Sequence, residues 1–346
     1  MRMRFVPHRA KRCAQSLAAA GTMLAALSSW AGGNPAVDDL AARTDWSRPI
    51  AAAEAPALDA RTLARLRLNA ITRAGERLIA VGEDGSVLVS DDRGAHWSPG
   101  ANAFDAMLTA VDFTSADTGY AVGHDALILI SRDRGRHWFS VQTDAQDPSP
   151  LLQLRMHDAK LGLAVGAYGR VLRTEDGQTW TRIAHGDDDR HVYGIAWVDA
   201  RRVVVVGERG LILASDDAGL HWRAVASPYD GSLFGVLALP DGALIAYGMR
   251  GRLLRSTDAG AHWQMLDTPT PAFLFGADRA PDGRIWIAGG NGSLLESHDG
   301  GAHFSLVETG RKDDFAGVLA LDARTLVLVG DHGPFVLHPG AAREGH

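Results

Sequence analysis

The eight residues Ser-Asp-Asp-Arg-Gly-Ala-His-Trp at 90–97 decide how this chain reads, because close copies of them return five times. They recur as Ser-Arg-Asp-Arg-Gly-Arg-His-Trp at 131–138, Thr-Glu-Asp-Gly-Gln-Thr-Trp at 174–180 (one residue short) and Ser-Asp-Asp-Ala-Gly-Leu-His-Trp at 215–222. Ser-Thr-Asp-Ala-Gly-Ala-His-Trp at 256–263 and Ser-His-Asp-Gly-Gly-Ala-His-Phe at 297–304 complete the series. The closing aromatics at 97, 138, 180, 222, 263 and 304 stand 41 or 42 residues apart. A second landmark keeps the same period: a glycine ends an apolar run at Gly82, Gly123, Gly166, Gly207, Gly248, Gly289 and Gly330. A fixed period of this length marks a repeat architecture, in which one unit cannot bury its apolar faces alone.

Each period reads as four short strands, which in the fourth unit are 194–198, 203–206, 211–214 and 221–225. Such apolar runs bounded by Gly and Asp are strand-like, and no unit holds a sustained 3.6-residue pattern. The expected fold is all-β: a seven-bladed β-propeller of four-stranded blades. The seventh unit stops after 334–337, with no Asp-containing turn and no fourth strand. Asp45-Trp46-Ser47 looks like His96-Trp97-Ser98, so residues 44–50 are expected to form the outer strand of blade seven and close the ring. From Trp46 to Ile71 is 25 residues, against 14 from Trp97 to Val111, which leaves 11 residues for a surface excursion near 52–62.

Composition narrows the class. Of 346 residues 46% are hydrophobic and 22% charged, which excludes intrinsic disorder. Arg outnumbers Lys 32 to 3 and Asp outnumbers Glu 33 to 8, a bias towards strands and loops over helix. The net charge of −6 hides a split, because residues 1–31 carry five cations and no acid, leaving 30 cations against 41 acids. A body that acidic argues against nucleic acid as a partner. The basic start, the Ala-rich run at 14–29 and Ser29-Trp30-Ala31 read as a signal peptide cleaved after Ala31. A membrane anchor would need a longer apolar run without Gln15, Ser16 and Thr22. The one cysteine, Cys13, would leave with the signal, and a cysteine-free mature chain suits an oxidising compartment such as a periplasm. The expected organisation is therefore signal peptide 1–31, linker 32–43, propeller 44–340 and tail 341–346.

Within the repeat, the Asp can accept backbone N–H bonds in its hairpin, the Gly can take a positive φ and the aromatic can pack between blades. Asp92, Asp133, Asp176, Asp217, Asp258 and Asp299 are accordingly expected to be structural, on the face opposite the usual propeller binding surface. His96, His137, His221, His262 and His303 sit on different blades, too far apart to converge on one zinc ion, so repeat register explains them. The positions that vary say more. The turns between second and third strands read Glu83-Asp84, His124-Asp125, Ala167-Tyr168, Glu208-Arg209, Met249-Arg250, Gly290-Asn291 and Asp331-His332. With Arg170 and Arg252 following directly, cations gather on blades three to five and acids on one, two and seven. Tyr193, Phe234, Phe273 and Phe275 open first strands near the channel mouth. Arginines beside aromatics are a protein-binding composition, and the candidate set is Arg170, Arg209, Arg250, Arg252, Tyr193, Phe234 and Phe275. The alternative is solvated arginines over aromatics that plug the channel. Asp187-Asp188-Asp189 lacks the spacing of a calcium loop and reads as a solvated run. No Walker loop, metalloprotease His-Glu-x-x-His or nucleophile elbow occurs.

Ser/Thr-x-Asp-x-Gly-x-x-Trp is the Asp box of bacterial neuraminidase repeats, carried by sialidases, some glucanases, sortilin-type receptors and the photosystem II stability and assembly factor family. The last is the family the chain resembles. Its repeats are similar to Ala-Val-Gly-x-x-Gly-x-Val-Leu-x-[Ser/Thr]-x-Asp-x-Gly-x-x-Trp, as at 80–97 and, one residue shorter, at 164–180. The resemblance spans about 44–340 and implies a non-catalytic exported propeller without cofactor or metal. It further implies a monomer that serves as assembly factor or scaffold for a membrane or envelope protein complex, through an arginine-rich patch. The competing class is an Asp-box glycoside hydrolase. Sialidases need an arginine triad, a Tyr–Glu pair and an Arg-Ile-Pro element, and Ser47-Arg48-Pro49-Ile50 is not that element. A hydrolase would need two carboxylates at a fixed separation, for which the mouth offers Glu83 or Asp84 with Glu208.

Overall fold

In the computed structural model, which describes residues 56–142, 147–184 and 188–340, the apolar runs that end in glycine are the second strands of seven blades. Blades one, three, four, five and six each pair four antiparallel strands in simple chain order. Blade four shows the pattern with Val192–Trp197, Val203–Gly207, Ile212–Ser215 and Arg223–Ala224. Its first strand starts two residues earlier than the sequence suggests, and its outer strand shrinks to two. Blade two gains a fifth strand, because Ala101–Asn102 runs parallel to the outer strand at His137 and Trp138. Blade seven has three described strands, Phe315–Asp322, Thr325–Gly330 and Gly333–Leu337. The closing strand expected at 44–50, and the segments 1–31, 32–43 and 341–346, lie outside the described residues.

The first strands make the inner ring. Leu68–Ala74, Leu108–Phe113, Leu151–Met156, Val192–Trp197, Leu233–Ala238, Leu274–Arg279 and Phe315–Asp322 touch in that order, and the last returns to the first. Closure of the described ring therefore runs through the packing of blade seven against blade one. Seven hydrophobic clusters fill the seven seams, each drawing on two successive blades. A second strand buries both faces at once: Val203 and Val205 point to the seam with blade three, Val204 and Val206 to the seam with blade five. That double burial is why these strands read as unbroken apolar runs rather than alternating ones.

The glycine that ends each run is there for lack of room. A Cβ on any of the seven would stand 2.0–2.2 Å from the carbonyl oxygen of the residue leading into the blade's own first strand, such as Arg67, His191 or Ser232. The same residue's carbonyl accepts the N–H just after the glycine, as in Glu208 N–H to His191 O at 2.8 Å. The contact ties each second-to-third turn to the start of its blade.

The excursion before blade one is more than a surface loop. Asp59 Oδ1 caps the short helix α1 (Ala60–Leu63) by accepting the Thr62 N–H at 2.7 Å. Leu58 N–H donates to Trp97 O at 2.7 Å, and Leu58, Leu63 and Leu66 pack onto the seam between blades seven and one. Three leucines make the segment a seal.

Candidate functional site

Every third strand has two ends, and they belong to opposite faces of the propeller. At one end sits the Asp box. Asp217 Oδ1 accepts the Ser215 hydroxyl at 2.8 Å and the His221 N–H at 2.9 Å, and Asp217 Oδ2 meets His221 Nδ1 at 2.6 Å. Ser215 Oγ accepts the Gly219 N–H at 2.9 Å, and Trp222 Nε1 donates to Gly219 O at 3.0 Å. The same carboxylate–histidine pair recurs at Asp92–His96, Asp133–His137, Asp258–His262 and Asp299–His303. Asp176 lacks the histidine and takes the Gln178 and Thr179 N–H groups instead, at 2.8 and 2.7 Å. These backbone donors pull Asp176 and Asp258 down to about 2, and hold Asp217 and Asp299 well below the usual carboxylate range. Each box aromatic packs into the seam behind its blade, Trp97 between blades seven and one and Trp263 between four and five. Each histidine is thus occupied by its own aspartate, and among the described residues no group of three metal-ligating side chains forms.

The other end is the mouth. Here the backbone repeats and the side chains do not. Asp84, Asp125, Tyr168, Arg209, Arg250 and Asn291 all take left-handed φ values between 50° and 56° at the tips of their turns. Asp and Asn adopt that conformation readily, whereas other L-residues pay about 1–2 kcal/mol for it. Tyr168, Arg209 and Arg250 thus carry a backbone cost, as Arg93, Arg134, Ala218 and Ala259 do in the Asp-box turns. What singles out the three at the mouth is their place beside its aromatic rings.

Behind the tips runs a continuous file of aromatic rings. Tyr168 contacts His191 at 5.1 Å between centroids, His191 contacts Tyr193 at 6.1 Å, Tyr193 contacts Phe234 at 5.6 Å and Phe234 contacts Phe275 at 5.5 Å. Most of these contacts are edge to face, the arrangement aromatic pairs prefer, and Phe273 joins at 6.1 Å from Phe234. The file crosses blades three to six. Burial, reinforced by Glu208, pushes the Tyr193 hydroxyl up to about 12, so it stays a neutral hydrogen-bonding group.

The sequence-selected arginines divide. Arg209 is exposed, its nearest acid Glu208 at 3.7 Å, and Arg250 and Arg252 are exposed with no side-chain hydrogen bond or salt bridge among the described residues. Arg170 does not belong with them. It occupies the same register as Arg252, yet its side chain is 2% exposed, and its guanidinium donates to Asp147 O at 2.6 Å and Ser149 O at 3.3 Å beneath the loop that leads into blade three. The Asp147 carboxylate lies 3.5 Å away. This arginine anchors a loop and is unavailable to a partner. Of the acidic run, Asp189 is exposed, Asp188 accepts the Arg190 N–H at 3.0 Å and pairs with its guanidinium, and Asp187 lies outside the described residues.

Sequence reading missed Tyr168 and His191 as members of the aromatic file. It also missed a latch in the lead-in loops. Asn102, Asp147, Asp188, Ser227 and Thr309 each accept the N–H two residues on, and the carbonyls of Phe104, Tyr229 and Arg311 press against the turn glycine of the preceding blade. A polar residue recurring before the first strands of blades two to five and seven was the available signal. Glu83 and Glu208, the carboxylates a hydrolase would need, sit in turns of blades one and four. Glu83 lies 3.6 Å from Arg67, and Glu208 accepts the His191 N–H at 3.3 Å.

The comparisons agree with this architecture. The solved structure of YCF48 bound to D1 peptide is 18% identical, with a TM-score of 0.65 over 83% of this chain and 95% of that one. YCF48 from Cyanidioschyzon merolae is 16% identical, with a TM-score of 0.66 over 83% and 99%. An ancestral GH74 enzyme reaches the same TM-score at 14% identity but is covered over only 46% of its length. At these identities the likeness shows the fold alone. No curated protein matches the chain. The profile of the family described as photosynthesis system II assembly factor YCF48 matches residues 96–272, just over half of the sequence, and the chain belongs to that family.

Proposed function

We propose that this chain is an exported, non-catalytic, monomeric propeller that holds a protein partner at its mouth while a membrane or envelope complex is assembled. The observation that carries the reading is the pairing of exposed Arg209, Arg250 and Arg252 with the aromatic file from Tyr168 to Phe275. An arginine fork makes bidentate bonds to carboxylates and stacks on aromatics, and clusters of the two are where binding energy concentrates. Membership of an assembly-factor family supports the same role, as does the D1 peptide held by a relative of the same fold. The engagement of Glu83 and Glu208 within different blades favours binding over hydrolysis. Exposed turn residues contribute little to stability. Replacing Arg209, Arg250 and Arg252 together by Glu should therefore leave thermal melting unchanged and abolish co-purification of envelope proteins with the exported chain. Recovery of the same partners by the triple variant overturns the reading. So does turnover of a fluorogenic sialoside or glucan that disappears in Glu208→Gln.

A further inference from the structure

The charges on the turn tips are ordered around the ring. Blades one and two carry Asp84 and Asp125, blade three the neutral Tyr168, blades four and five Arg209 and Arg250, and blade six the neutral Asn291. In a closed ring of seven, blade five stands across from the junction of blades one and two. Two carboxylates thus face two guanidiniums over the mouth, with Tyr193 and Phe234 on the cationic side. All four charged tips are exposed. Asp84, Asp125 and Arg250 make no salt bridge among the described residues, and the nearest acid to Arg209 is its neighbour Glu208 at 3.7 Å. Their backbones are pinned, since the glycines after Asp84, Arg209 and Arg250 each sit against a carbonyl of the next lead-in loop. The tips hold charge outward in fixed places.

We propose that the mouth accepts a peptide segment of bipolar charge in one direction: its acidic end over Arg209 and Arg250, its apolar middle over Tyr193 and Phe234, its basic end over Asp84 and Asp125. The inference rests on the mouth being the partner site and adds the charge order of the partner. A uniformly acidic segment long enough to cross would bring its far end against Asp84 and Asp125. Like charges juxtaposed at an interface reject a partner as effectively as opposite charges admit one. Rim charges of this kind act mainly on encounter and orientation, and their effect weakens with salt.

The test uses the exported chain and three labelled peptides of equal length, read by fluorescence anisotropy at low and physiological salt. One has a Glu block, a Leu-Phe centre and a Lys block. The second has the same composition with the charges alternating, and the third carries Glu at both ends. The block peptide should bind about tenfold more tightly than either of the others, with the margin shrinking as salt rises. In Asp84→Arg/Asp125→Arg the preference should pass to the peptide with Glu at both ends, by a similar factor. Equal binding of block and alternating peptides overturns the proposal, as does failure of the block peptide to bind or an unchanged ranking in the double variant. Asp84→Asn/Asp125→Asn, which keeps residues suited to left-handed turns, serves as a second variant and should level the ranking without reversing it. If the ranking ignores Asp84 and Asp125 while the triple arginine variant still loses the envelope partner, the charge order fails and the partner site stands. If the triple variant keeps its partner, the site itself fails.

Discussion

The two ends of the third strand follow opposite rules. At the Asp-box end five blades repeat the same carboxylate–histidine bridge and close on a seam-filling aromatic, Trp in four and Phe304 in blade six. At the mouth end six blades repeat a left-handed backbone and present Asp, Tyr, Arg or Asn on it. Where side chain and bond recur together, each blade needs that bond to fold. A left-handed position with a varying side chain also occurs in the Asp boxes, at Arg93, Arg134, Ala218 and Ala259. What sets the mouth apart is that no recurring side-chain bond accompanies it and that its arginines stand beside the aromatic file. Damage at the first end should appear in stability, and damage at the second in recognition.

The largest loss of stability is expected from Trp97→Ala. Trp97 is 1% exposed in the seam between blades seven and one, beside the leucines of the excursion. Emptying a buried aromatic site of this size costs about 3–5 kcal/mol. Denaturant melting should show a loss of that order, while the folded fraction keeps its partner. Asp217→Ala should cost less, about 1–3 kcal/mol, because it strands the His221 N–H and the Ser215 hydroxyl but leaves the seam filled. An unchanged midpoint would remove the Asp box from the stability side of the comparison.

Acid acts on the structural end. Asp176 and Asp258 are drawn down to about 2 by backbone N–H donors in their boxes. Their unfolded counterparts titrate near the ordinary carboxylate value of about 3.9. Folding therefore favours their ionised form, and that contribution is complete above about pH 4 and is lost as the pH falls towards 2. Asp112 and Asp278, on first strands, behave in the opposite sense. Asp112 accepts the Met156 N–H at 2.9 Å and Asp278 the Ala320 N–H at 2.8 Å, each stapling one blade to the next, and burial raises both. A raised carboxyl favours folding as it protonates, so these two oppose the acid loss from the boxes. Urea midpoints should fall below about pH 4 in the wild type. Asp278→Asn should match or exceed the wild type at pH 7 and lose that advantage on acidification. A variant less stable than wild type at pH 7 would mean that the ionised carboxylate, attracted by Arg73 and Arg155, stabilises the seam.

How much of this the sequence disclosed follows the same division. The period, the blade number and the Asp-box hairpins were legible because identical side chains mark identical jobs. The glycine ending each second strand was legible as a landmark, and its reason, a carbonyl 2.0–2.2 Å from any Cβ, needed coordinates. Arg170 and Arg252 share a register in the repeat and differ in fate, because the Asp147–Ser149 loop folds over one and nothing comparable covers the other. Loops that do not repeat cannot be read by analogy with other blades. The latch residues escaped for a related reason: Asn, Asp, Ser and Thr all accept an N–H two residues on, so one function hides behind four letters. Parallel addition of Ala101–Asn102 to blade two depends on a non-local pairing that no local pattern announces.

The smallest effect tests the mouth most directly. Arg250 holds a φ of 56° at its turn tip, where its side chain makes no hydrogen bond or salt bridge among the described residues. Asn adopts that backbone more cheaply, since its short polar side chain can bond locally. If the turn were selected for stability, Arg would be an unfavourable residue there with nothing to offset it. Arg250→Asn should thus raise stability by about 0.5–1 kcal/mol while weakening partner binding, the exchange expected where a strained residue is kept for function. Arg252→Asn is the matched control, because Arg252 sits one residue beyond the turn glycine in ordinary extended backbone at φ −72°. It should weaken the partner without the gain. Paired melting and binding measurements on the two variants separate backbone strain from charge. Were Arg250→Asn to lose stability instead, Arg250 would be supporting its own turn, and the division between a structural end and a recognition end of the strand would not hold at blade five.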